Sequence, residues 1–133
     1  MSAVIIDGKE IAKVLRAEWK TRAEQLQEKS IQPGLAVIIV GDNQASGIYV
    51  RNKVRACSET GIYSEVHEFS EKTEQIEVLQ CIQELNKNPR IHGILVQLPL
   101  PRHFEDKKII ASIGVEKDVD GFHLNNIGAL VTG

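Results

Sequence analysis

The chain has 133 residues, 42% of them hydrophobic and 26% charged, with a net charge of −2 at neutral pH. That size fits one domain within the ~100–200 residues usual per domain, with enough apolar content for a packed core. There is no basic excess to neutralise phosphates, which argues against nucleic acid as a partner. No apolar run approaches the ~20 residues a membrane-spanning helix needs, so no membrane partner is expected.

Short apolar "AVII" at Ala3–Ile6 reads as a strand turned by Asp7-Gly8, and is too brief for a signal peptide. From Lys9 to about Lys29, Ile11, Leu15, Trp19, Ala23 and Leu26 recur at helical spacing, until "QPG" at Gln32–Gly34 stops the helix. "LAVIIVG", Leu35–Gly41, is a β-branched run bounded by glycines, the signature of a strand buried on both faces of a parallel sheet. A helix follows, capped by Asp42, Asn43 or Ser46, with Val50, Val54 and Cys57 as the stripe facing the sheet.

"IYSEVHEF", Ile62–Phe69, alternates like an edge strand. Ile76, Leu79, Ile82 and Leu85 mark a helix over about Thr73–Asn86, before Pro89. "GILVQL", Gly93–Leu98, gives a third buried strand ended by prolines, and a short helix is expected around Glu105–Ile113. Strand and helix in alternation predict an α/β fold, a three-layer domain with a mostly parallel sheet flanked by helices.

Cys57 and Cys81 have no CxxC spacing, which points to reduced thiols and a cytoplasmic protein. The four histidines form no HxxxH or HExxH pattern, so no metal is expected. GxSxG, Walker A and GxGxxG motifs are absent.

In open α/β sheets ligands collect beyond the carboxyl ends of the strands. Three stretches fall there: "GDNQAS" leading to Tyr49 and Lys53, Gln97 at the end of a buried strand, and "KDVDGFH" with Asp118 and Asp120. Tyr49 and Lys53 stand one helical turn apart and share a face. Each has a plainer reading: a solvated lysine, a core amide satisfied by backbone, two aspartates building a turn with Gly121. From the residues alone, the result is a ligand cleft with a lysine that could serve as a base.

"VGDNQASGIYVRNKVRACSETGI", "GILVQLPLP" and "KDVDGFHLNNIGAL", in this order and after "IIDGKEIA", resemble methylenetetrahydrofolate dehydrogenase/methenyltetrahydrofolate cyclohydrolase over essentially the whole chain. The resemblance implies oxidation of methylene-tetrahydrofolate by NADP or NAD, then hydrolysis of the methenyl cation to formyl-tetrahydrofolate. It implies that Lys53 is the catalytic amine, Gln97 its hydrogen-bond partner and Tyr49 a platform stacked on the folate. Asp120 would bind the pterin, Ser46 would shape the pocket beside Tyr49, and the backbone of Leu98, Pro99 and Leu100 would line the cleft. Residues 1–133 then form the folate-binding catalytic domain, truncated before the domain that holds the nicotinamide cofactor, so dehydrogenation by this chain alone is not expected. The full-length protein is expected to be a cytoplasmic homodimer serving one-carbon metabolism and purine biosynthesis. The family usually has proline where Gln44 and Leu124 stand here, both in connecting segments.

A neutral amine can take a proton from attacking water and return one to a leaving nitrogen. Burial and a neighbouring cation both favour the neutral form of a lysine, and an amide partner adds no opposing charge. A carboxylate suits the pterin because it accepts two parallel hydrogen bonds from the amino group and the adjacent ring N–H. Three other readings of the same residues are a pterin-binding module without turnover, the substrate-binding half of another two-domain dehydrogenase, and a structural or interaction domain with no small ligand.

Overall fold

A computed structural model describes residues 3–133. Three strands, β1 (Gly34–Val40), β2 (Tyr63–Phe69) and β3 (Gly93–Val96), form one wholly parallel sheet in the order β2-β1-β3. The helices are α1 (Gly8–Glu28), α2 (Gln44–Thr60), α3 (Gln75–Lys87), α4 (Asp106–Ser112) and α5 (Leu124–Thr132), with a 3-10 turn at Val115–Lys117.

Parallel neighbours need crossovers, and each crossover helix buries its stripe on one face of the sheet. Val78, Ile82 and Leu85 of α3 and Ile109 of α4 pack with Ala36, Ile38, Val40, Ile94 and Val96 on one side. Val50 of α2 packs with Val37 and Leu95 on the other, flanked by Val54. The sheet is therefore the middle of three layers, and the alternate residues of β1 feed both cores. β2 is the edge strand its alternation suggested, and none of its residues is fully buried.

One expectation fails. Ala3–Ile6 is not a strand: it forms no ladder among the described residues, Val4, Ile5 and Ile6 are exposed, and Asp7 caps α1 by accepting from the backbone N–H of Lys9 and Glu10. An apolar tetrapeptide has strand propensity, but propensity without a paired neighbour and a covered face makes no strand. The stripe of α1 is helical as expected, yet of its residues only Ala23 is buried; Ile11, Leu15 and Trp19 stay about half exposed, because α1 lies against α2 rather than on the sheet. α5 was not anticipated. Its Leu124, Leu130 and Val131 are also uncovered within this chain.

α2 carries the site, and its ends are well specified. Asn43 caps its first turn by accepting from Ser46 N–H at 3.0 Å, one of the three caps expected there. At its C-terminus Gly61 adopts φ 74°, a left-handed conformation open to glycine, and Ile62 N–H reaches back to the Cys57 carbonyl.

Candidate active site

β3 ends where the ladder does. The Gln97 N–H still donates to the Ile38 carbonyl at 2.8 Å, so the backbone of Gln97 is held at the carboxyl edge of the sheet one residue beyond Val96. The Leu98–Pro99 peptide bond that follows is cis. From this anchor Gln97 Nε2 donates to the Leu98 carbonyl at 3.0 Å, and its Oε1 accepts from Lys53 Nζ at 3.0 Å. A carbonyl can only accept, so the amide nitrogen must face Leu98 and the amide oxygen must face the lysine. The orientation of Gln97 is thus settled by chemistry.

Lys53 is half-buried on α2, with Nζ 5.8 Å from the centre of the Tyr49 ring. The ring is 60% exposed and offers a bare aromatic face beside the amine. Ser46 lies buried one turn before Tyr49, in the first turn of α2. The crossover has brought together side chains 44 positions apart. The plain reading of Gln97, a core amide satisfied by backbone alone, gives way to an amide shared between backbone and amine.

The two aspartates separate. Asp118 is half-buried, and its Oδ2 accepts from His123 N–H at 2.8 Å and from Asn126 Nδ2 at 2.9 Å. Burial pushes its carboxyl up, but the hydrogen bonds from Asn126 and from the backbone of His123, Phe122 and Gly121 prevail and hold it below its ordinary value. Asp118 is the turn-building aspartate. Asp120 is exposed and takes part in no hydrogen bond or ion pair among the described residues. Loss of hydration against the neighbouring chain raises its carboxyl, Lys53 pulls it down, and Asp118 pushes it up. It therefore lies within electrostatic reach of Lys53.

The bridge between Ile94 and Asp118 runs parallel to β3 and explains this placement. Two residues on from Asp118 the chain has advanced toward the same edge at which Gln97 ends its strand. Lys53 and Gln97 thus meet at the carboxyl edge beside Tyr49, and the bridge carries the chain at Asp120 toward that same edge. Cavities of about 470 and 340 Å³ flank the α2 N-terminus, lined by Gly47, Arg51 and Glu68 in one and by Asn43, Pro99, Leu100 and Pro101 in the other. The second borders the Leu98–Leu100 backbone expected to line the cleft. Sequence reasoning missed Asn126 and His123, which organise the turn; nothing in their spacing from Asp118 marks them.

No group of three or more His, Cys, Asp or Glu able to hold a metal occurs among the described residues. Burial raises the Cys57 thiol, and burial with Glu84 and Glu65 raises that of Cys81, so neither is a ready nucleophile.

Residues 6–120 match the family model for the tetrahydrofolate dehydrogenase/cyclohydrolase catalytic domain. The bifunctional protein FolD of Nitrosospira multiformis is 68% identical over all 133 residues, which cover 46% of that protein. The crystal structure of the bifunctional enzyme FolD from Campylobacter jejuni, 48% identical, superposes with a TM-score of 0.91 over 93% of this chain and 44% of that one. The Trypanosoma brucei dehydrogenase-cyclohydrolase, solved with NADP cofactor and inhibitor, is 34% identical with a TM-score of 0.94, over 98% of this chain and 45% of that one. The chain spans about half the length of the curated relatives it matches.

Proposed function

The chain belongs to the tetrahydrofolate dehydrogenase/cyclohydrolase family, and on that premise we propose that it is the folate-binding catalytic half of a bifunctional enzyme of one-carbon metabolism. The observation that carries this reading is the 3.0 Å hydrogen bond between Lys53 Nζ and Gln97 Oε1 beside the exposed Tyr49 ring. Tyr49 stacks on the folate, and Asp120 accepts from the pterin amino group and ring N–H. Leu98, Pro99, Leu100 and Ser46 border the ligand.

In the hydrolysis, water attacks the bridging carbon of methenyl-tetrahydrofolate, an amidinium-like cation. As the carbon–oxygen bond forms, the Lys53 amine takes the proton the water sheds. The resulting carbinol then opens: the Lys53 ammonium returns its proton to the leaving nitrogen as the carbon–nitrogen bond breaks, and the hydroxyl proton passes to water, giving the formyl product. Gln97 keeps the amine aimed without supplying a negative charge that would hold the proton.

NADP or NAD, which supplies the hydride acceptor for oxidation of methylene-tetrahydrofolate, does not fit this chain. The sequence has no GxGxxG turn between strand and helix, and the site at the sheet edge offers an aromatic face, an amine and a carboxylate rather than a phosphate cradle. We assign the dinucleotide to the half of the relatives that this chain does not span. The proposal includes a cytoplasmic location, supported by two free thiols, a homodimer at full length and a supply of one-carbon units to purine biosynthesis.

Substituting Lys53→Met tests the core of the reading. Loss of the methenyl chromophore, followed by absorbance, is expected to slow about 10²–10⁴-fold, the range a positioned acid–base group contributes, while the circular dichroism spectrum is unchanged. Hydration at the unaltered rate would remove Lys53 from the mechanism.

A further inference from the structure

We infer that Asp118, working through Asn126 and the backbone amides of residues 121–123, is a positioning residue that sets the Asp120 carboxylate at the folate edge. The inference rests on the reading of Asp120 as the pterin acceptor and adds the device that holds it there.

The segment before the turn is fixed from outside. Lys117 Nζ donates to the carbonyls of Leu85, Asn86 and Asn88 at 3.0, 2.8 and 3.0 Å, bracing the segment against the C-terminal end of α3. Asn86 accepts from Gly114 N–H at 2.8 Å and donates to the Ser112 carbonyl at 2.8 Å. Asp118 itself is bridged to Ile94 of β3. Up to position 118 the backbone has little freedom.

From 119 to 122 the chain is held through Asp118 itself, whose carboxylate draws the Gly121 and Phe122 N–H groups, and through Val119 lying against Gly93. Val119, Asp120 and Phe122 are exposed, and Gly121 takes φ 69°. The chain is recaptured at His123, whose N–H bonds the Asp118 carboxylate and whose Nδ1 in turn accepts from Asn125 N–H to start α5. Asn126 Nδ2 closes the loop by donating both to Asp118 Oδ2 and to the Val115 carbonyl at 3.1 Å. One carboxylate oxygen thus ties the exit of the turn to its entry, and Asp120 sits at the midpoint of the tied loop. That oxygen already receives two donors, so it is occupied within the protein and is not offered to a ligand. Without the tie, Asp120 would sit on a loop anchored at one end only, and binding would have to order it first.

The test is a binding cycle on the protein with 5-formyltetrahydrofolate, a reduced folate, as probe, measured by titration calorimetry. Asp120→Ala is expected to weaken binding about tenfold or more, the loss of a charge-assisted pair. Asp118→Asn, which keeps shape but presents an N–H₂ group toward backbone donors, is expected to weaken it about five- to twentyfold. Combined, Asp118→Asn/Asp120→Ala should bind within about twofold of Asp120→Ala alone, because a positioning residue has nothing left to position. Asn126→Ala supplies the same cycle with the backbone bonds of Asp118 retained, should Asp118→Asn fail to fold. Wild-type affinity in both Asp118→Asn and Asn126→Ala, or losses that multiply with that of Asp120→Ala, would overturn the inference while leaving the folate reading intact. No effect of Asp120→Ala would instead sink the pterin assignment, and this inference with it.

Discussion

Gly93→Ala offers a physical test of how the site is assembled, because its effect follows from one contact. Gly93 begins β3, and a Cβ built there runs into Val119 Cγ1 and comes within 3.4 Å of Leu35 Cδ1. Val119 is β-branched, so its Cγ1 retreats only by a change of χ1 rotamer or by moving the backbone that also carries Asp118 and Asp120. Overpacking of this kind costs about 1–3 kcal/mol, which in a chain of 133 residues corresponds to a melting temperature lowered by roughly 3–15 °C. Folate affinity should fall in parallel, as the segment that positions Asp120 is pushed off the strand. Val119→Ala added to Gly93→Ala removes both γ carbons, and should restore most of the lost stability and affinity. Val119 is half exposed, so by itself Val119→Ala should cost little. Thermal melts and folate titrations of the four proteins decide the matter. A Gly93→Ala variant as stable as wild type, or one that Val119→Ala fails to rescue, would show that the contact does not hold residues 118–120 in place.

Other consequences can be measured alongside. Tyr49→Ala should weaken folate binding by about 0.5–1.5 kcal/mol beyond the area lost, whereas Tyr49→Phe should leave it nearly intact; equal damage from both would assign the role to the hydroxyl. Gln97→Leu leaves the Leu98 carbonyl and the Lys53 amine without their shared partner, and hydration should slow with little change in folate affinity; an unaltered rate would make the hydrogen bond incidental. Glu65 is held below its ordinary value chiefly by the His67 hydrogen bond, with burial opposing and Tyr63 assisting. Its contribution to stability is therefore full above the unfolded-state value near ~4.3 and is lost as pH falls through the lower folded value. Urea midpoints should drop less between pH 6 and pH 3 in His67→Gln than in wild type, and identical drops would refute the pairing.

The parts of the fold visible in the sequence are those whose partners are implied by the residues themselves. β1 and β3 are β-branched runs between punctuating residues, and such runs are stable only with both faces covered. The α2 stripe of Val50, Val54 and Cys57 likewise requires a sheet beneath it. Ala3–Ile6 and α1 show the limit of that logic. Periodicity says that an apolar face exists but not what lies over it, and here much of the α1 face is bare within the chain. α5 escapes the sequence for a different reason: Leu124, Ile127, Leu130 and Val131 do share one side of "LNNIGALVT", but the segment is only nine residues long and carries two asparagines and a central glycine, all weak helix formers.

The site follows the same division. Tyr49 and Lys53 are linked by local helical spacing, and their shared face could be read without a fold. Their meeting with Gln97 needed one further step, that β3 lies beside β1 and that α2 leaves from the carboxyl end of β1. Sheet topology supplies this, which is why an amide at the end of a buried strand was informative. Asp118 and Asp120 could not be separated in this way, since both lie in one polar turn with the same side-chain chemistry. What distinguishes them is where the donors are. Asp118 is surrounded by N–H groups of its own chain, whereas Asp120 is left with free acceptor capacity in reach of an amine. A carboxylate already satisfied inside the fold can shape a site, and only an unsatisfied one can bind in it.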